Sequence, residues 1–192
     1  MAIVVVTAPA VEPVTLNDLK QHVRATDFTD DDEILTAKGI SARQHVERFI
    51  GKPLISTTFE LVYDAFPAGE ITLPKGPLQS VTSVKYLDAT TGLEATMPSD
   101  DYAVDTASDP GRIKPGVSGW PDTADTVNAV RIRFVAGYGD APSDVPEPLR
   151  EAVLQLAAQL YQHRAAALVG ESAASIPFGV GDMLGEYREW SF

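Results

Sequence analysis

Residues 135–164, VAGYGDAPSDVPEPLREAVLQLAAQLYQHR, decide the fold: they read as the end of a strand, a short Gly/Pro/Asp turn, and the strongest helix of the chain. Pro146 and Pro148 stand at the helix start, where a missing N–H costs little because first-turn amides have no intrahelical partner. Glu147 and Glu151 put negative charge in that first turn and Arg164 puts positive charge in the last, as the macrodipole favours. Leu149, Val153, Leu156 and Leu160 recur at three and four residues beside Ala152, Ala157 and Tyr161, so the helix has a broad apolar face that must be buried. The other strong helical pattern, residues 31–50, lies far upstream, which implies a helical core interrupted by a β insert.

Working outward, residues 54–139 change period from helical to two. Residues 55–63, 70–73, 81–87, 93–97, 102–104, 112–114 and 128–135 read as short strands, with 81–87 and 93–97 forming a hairpin through the turn at 88–92. The last strand alternates cleanly, placing Val130, Ile132 and Phe134 in a core and Arg131 and Arg133 on a wet face. Upstream, Thr15 with Asp18 three residues on has the capping-box spacing, and Leu16, Leu19 and Val23 stripe a short helix. Ile34, Leu35, Ile40, Val46 and Phe49 follow helical spacing in 31–50 and are expected to pack on Leu149, Val153, Leu156 and Leu160, with Gly51 closing their helix. Residues 1–13 suit an extended arm or edge strand. The expected class is α+β: a helical bundle of about three main helices (14–53 and 140–169), an inserted antiparallel β subdomain (54–139) and a C-terminal docking tail (170–192).

Composition excludes several functions. With 44% hydrophobic and 22% charged residues the chain is an ordinary globular one, and no apolar run approaches a bilayer span, so no membrane partner is expected. The start lacks the basic region of a signal peptide, which reads as a cytoplasmic product. Zero cysteines exclude disulfides, thiol catalysis and Cys-based zinc sites. A formal charge of −12 argues against gripping nucleic acid, since such binders neutralise phosphates with Lys and Arg, but an acidic wall lets DNA slide past.

No catalytic constellation emerges. Asp27, Asp30, Asp31, Asp32 and Glu33 lack the glycine and alternating ligands of a calcium loop and precede a helix, so they read as capping and first-turn acids rather than a metal site. His22, His45 and His163 are scattered, without a second ligand at helical spacing. Gly137-Tyr138-Gly139 reads as a bend and not as a phosphate loop, and Arg131/Arg133 as a solvated strand face in preference to a phosphate contact. No cofactor, metal or catalytic residue is assigned. The tail is different: Ile176, Phe178, Met183, Leu184, Tyr187, Trp190 and Phe192 are too many large apolar groups to leave in water behind the small, polar stretch that leads into them. They read as a partner-docking set, Met183, Leu184 and Tyr187 at helical spacing, with folding back onto the chain's own bundle as the competing reading.

An ordered set of segments, VTLNDLKQHVR (14–24), DDDEIL (30–35), VERFIGKPLISTTFEL (46–61), PLQSVTSVKYLD (77–88), DYAVD with GRI (101–113), VRIRFVAGYG (130–139) and VPEPLREAVLQLAAQLYQHR (145–164), resembles the head–tail connector, or adaptor, proteins of tailed siphophages, prophages and gene transfer agents. The resemblance implies a ring of about twelve copies beneath the portal at the neck of a particle assembled in the bacterial cytoplasm. DNA would pass through the lumen without sequence-specific binding. Portal protein and stopper or tail-completion proteins would be the partners, with the C-terminal segment against the portal. The β insert departs from the smallest members of that group. Two other readings stand beside it: a small acidic module that holds a peptide or glycan on its β insert, and a hydrolase built on the acidic cluster.

Overall fold

Thr15 caps the first helix as its spacing predicts: its hydroxyl accepts from the Asp18 amide (3.1 Å) while the Asp18 carboxylate accepts from the Thr15 amide (2.8 Å). The computed structural model describes residues 1–162 and 178–188. Its helices are α1 (Leu16–His22), α2 (Asp32–Ile50), α3 (Glu147–Gln162) and α4 (Phe178–Gly185). Its strands are β1 (Ala2–Thr7), β2 (Thr57–Tyr63), β3 (Ile71–Leu73), β4 (Leu78–Leu87), β5 (Glu94–Met97), β6 (Tyr102–Asp105), β7 (Gly111–Pro115) and β8 (Val130–Ala136). This is an α+β protein, and strand pairing among the described residues is antiparallel. The chain divides into two units: Met1–Pro9 with Ser56–Gly137, and Ala10–Ile55 with Tyr138–Phe192.

In the helical unit α3 packs on α2, and Val46, Ile50, Leu149, Ala152, Val153 and Leu156 share one buried cluster with Leu19 of α1. Gly39 is where α1 comes close: a Cβ built there would stand 2.8 Å from Leu19 Cδ1, so a larger residue would force that side chain to shift. Gly51 ends α2 at φ 82°, the left-handed turn that glycine adopts without strain. One expected core residue is out of place, because Ile34 is 38% exposed in the first turn of α2, while its neighbour Leu35 is buried.

The β unit holds a five-stranded sheet ordered β1-β2-β8-β4-β5 and a three-stranded sheet ordered β3-β7-β6. Register follows the period of two. Phe59 of β2 lies opposite Phe134 of β8, their rings stacked 5.6 Å apart, and Leu61 opposite Ile132, all buried, whereas Glu60 lies opposite Arg133 on the other face and is paired with it at 2.9 Å. The segment 1–7 is an edge strand on β2, so the sheet is completed by residues that precede the first helix.

Candidate docking interface

α4 is the part of the expected docking set that the structure describes. It packs on α3 and α2. Val180 and Leu184 are fully buried in the helical cluster, and Met183 and Tyr187 pack half-buried at its edge. Beyond the helix, the Arg188 guanidinium lies over the Phe49 ring at 5.6 Å, a second tie to α2. Leu184 is therefore a core residue of this chain, where the sequence reading had it displayed to a partner: an apolar side chain at helical spacing fits a groove of its own bundle as readily as a foreign one. Met183 and Tyr187 keep an open side. Ile176, Trp190 and Phe192 lie outside the described residues, and Phe178 is placed as the first residue of α4.

The acidic cluster turns inward in a way spacing does not reveal. Asp31 occupies the N-cap position of α2 but makes no side-chain capping bond; instead it accepts a hydrogen bond from the Tyr161 hydroxyl of α3. Asp32 accepts from the Lys20 ammonium at 2.8 Å, tying α1 to the start of α2. These acids join helices, and among the described residues no group of three or more His, Asp or Glu is arranged to hold a metal ion. His22 and His45 are exposed and His163 lies outside the described residues. Arg131 and Arg133 lie on the wet sheet face with Lys85, Glu60 and Glu94, as the alternation of β8 predicts.

The charge network that sequence reading missed lies in the helical unit. Arg43, nearly buried, donates to Glu12 (2.7 Å) and to Glu47 (2.6 Å), and the free oxygen of Glu47 accepts from the Leu54 amide (2.9 Å). Burial pushes the Glu47 carboxyl above its usual range, against the pull of the Leu54 amide and the Arg43 guanidinium. The i,i+4 spacing of Arg43 and Glu47 was the available signal; the approach of Glu12 was not written in any spacing. In the β unit Phe66 stacks on Trp120 at 4.8 Å, and the indole N–H donates to the Gly69 carbonyl.

Two hollows remain. A groove of about 290 Å³ is lined by Val11, Val14, Leu16, Leu19, Ile40 and Pro142, and one of about 260 Å³ in the β unit runs along Tyr86, Met97, Asp101 and Trp120. Neither brings together a nucleophile, a base and an orienting partner. What the described residues do present is sheet edges, open strand faces and half-buried aromatic groups.

Solved structures bear on this directly. The chain aligns over 100% of its length, and 97% of the other chain, with a component of the neck of an empty gene transfer agent (GTA) particle, computed with C6 symmetry, at TM-score 0.81 and 30% identity. It aligns over the same shares with a chain of the virion of a native GTA particle (TM-score 0.80, 27% identity) and with one from the neck of a native GTA particle computed with C12 symmetry (TM-score 0.75, 28% identity). No protein-family model matches the sequence, and no curated protein matches it. The chain belongs to the head–tail connector family, as represented in gene transfer agents. The similar chains are components of GTA necks and of a GTA virion.

Proposed function

We propose that this protein is a structural connector at the neck of a phage-like particle, built as a helical bundle bearing a β unit and forming a ring between portal and stopper or tail-completion proteins. The observation that carries the reading is the full-length likeness at 30% identity to a neck component. Ring assembly is supported by the sixfold and twelvefold symmetry of the neck structures in which similar chains occur. The net charge of −12 suits a wall that DNA passes without being gripped. Docking to the portal falls to the C-terminal set, Ile176, Phe178, Trp190 and Phe192 together with the open sides of Met183 and Tyr187, while Leu184 anchors α4 to the bundle.

The test is to purify particles from a producing strain and from one lacking this chain, then image their necks and probe them for the protein. The protein should be found at the neck, and its loss should leave filled heads without tails. Tailed, infective particles in its absence would reject the reading. Free protein should bind duplex DNA weakly at physiological salt, because acids outnumber bases 27 to 15.

A further inference from the structure

The five-stranded sheet ends on two unlike edges. Among the described residues β1 pairs with β2 alone and β5 with β4 alone, so the outer side of each is open. Edges of this kind are normally blunted by lysine, proline or inward-pointing charge, because an open ladder of N–H and C=O groups accepts another strand. β1, AIVVVT, carries none of these. Val4 and Val5 are 54% and 55% exposed. Val5 lies opposite Phe59, on the face where Phe59 and Phe134 form the core, so the apolar side of the sheet runs out at β1 with a valine still uncovered. At the other edge Leu93, just ahead of β5, is 70% exposed.

We propose, on the ring assembly inferred above, that β1 is a strand-addition surface whose occupant is the β5 edge of the next copy. A ring needs a heterologous interface, two different surfaces of one chain that fit each other. The sheet supplies them. Each step across β1-β2-β8-β4-β5 is antiparallel, so β1 and β5 run in the same sense, and rotation about an axis along the strands sets β5 of one copy beside β1 of its neighbour as a parallel pair. Pairing of β1 with β1 would instead be isologous, closing a two-fold dimer and consuming the edge. Val4 and Thr96 lie on the same face of the sheet, through the registers Val4 to Glu60, Glu60 to Arg133, Arg133 to Ser83 (two residues from Lys85) and Lys85 to Thr96, so a junction of β1 with β5 puts both on one face.

Because the chain has no cysteine, disulfides between its own copies form only at introduced thiols. Particles carrying V4C with T96C, or V4C with E94C to cover the adjacent register, are oxidised and run on a non-reducing gel. One of the two double variants should give a ladder of covalent oligomers, and each single variant should stay monomeric. Dimers from V4C alone would overturn the proposal in favour of the isologous pair, and intact cyclic necks without any ladder would overturn it while leaving the connector reading standing. Absence of the protein from necks defeats the connector reading itself. Hydrogen exchange on the unmodified protein needs no variant: β1 amides should exchange at least about tenfold more slowly in assembled necks than in the free chain. Unchanged exchange on assembly would also overturn the proposal.

Discussion

The two units bury charge differently. In the helical unit the Arg43 side chain is nearly enclosed and holds two carboxylates, whereas in the β unit the pairs Lys85–Glu94 and Arg112–Glu70 are about half exposed at both partners. The difference follows from how each core is built. A strand alternates, so its charges fall on the solvent face by period alone; a helix in a bundle must also bury its flanks, and an arginine there takes its partners with it. The Arg43 network is therefore structural, whereas the Lys85–Glu94 and Arg112–Glu70 pairs are mostly solvated.

That contrast is most sharply tested by Arg43→Ala. It leaves Glu47 enclosed with only the Leu54 amide for company, and should cost about 3 to 5 kcal/mol in chemical denaturation. The loss has a pH signature. A carboxyl whose folded pKa is raised favours the folded state below its unfolded value and loses that advantage as pH rises through the folded value, so the deficit of Arg43→Ala should shrink as pH falls toward the ordinary glutamate value of 4.5 and below. A pH-independent deficit would mean that Arg43 acts through packing alone. In the β unit the comparable loss comes from an apolar residue: Phe134→Ala, deleting a buried ring stacked on Phe59, should cost about 3 to 5 kcal/mol by the same measurement.

A smaller effect is expected at the joint between α4 and the bundle. Leu184→Ala should lower stability by about 2 to 4 kcal/mol, since the side chain is fully buried; an unchanged thermal transition would place α4 off the bundle in solution and return Leu184 to the docking set. Smallest of all, Lys85→Ala should change stability by about 0 to 1 kcal/mol, as exposed pairs do, and less at high salt. In the same unit the Asp105 carboxyl accepts from Ser108 and Arg112, which hold it down to about 2. Its contribution is present above the ordinary value of 3.8 and lost as pH falls toward about 2, and titration by NMR should find it there; a midpoint near 4 would show the turn open in solution.

Much of this was legible in advance. Alternation placed Val130, Ile132 and Phe134 inside and Arg131 and Arg133 outside, and the Thr15/Asp18 spacing gave a capping box with both bonds made. Local rules failed where two elements compete for one side chain. Asp31 has the position of a cap but is drawn to Tyr161 of α3, and Ile34 has core spacing but falls in the first turn of α2, where it is left exposed. The docking set was legible as a group of apolar residues that must be covered, and not as to what covers them: Leu184 is covered by its own chain.

Periodicity, capping residues and net charge can be read along the chain, and for this protein they determined the α+β class, the strand faces, the helix starts and the excess of acidic residues. Tertiary structure alone decided that residues 1–7 complete the sheet beside β2, that Glu12 closes on Arg43, and that Leu184 returns to the bundle. Those outcomes depend on which surfaces, far apart in sequence, fit one another when both lose water, and pairwise fit across a fold leaves no period in the chain for a local reading to find.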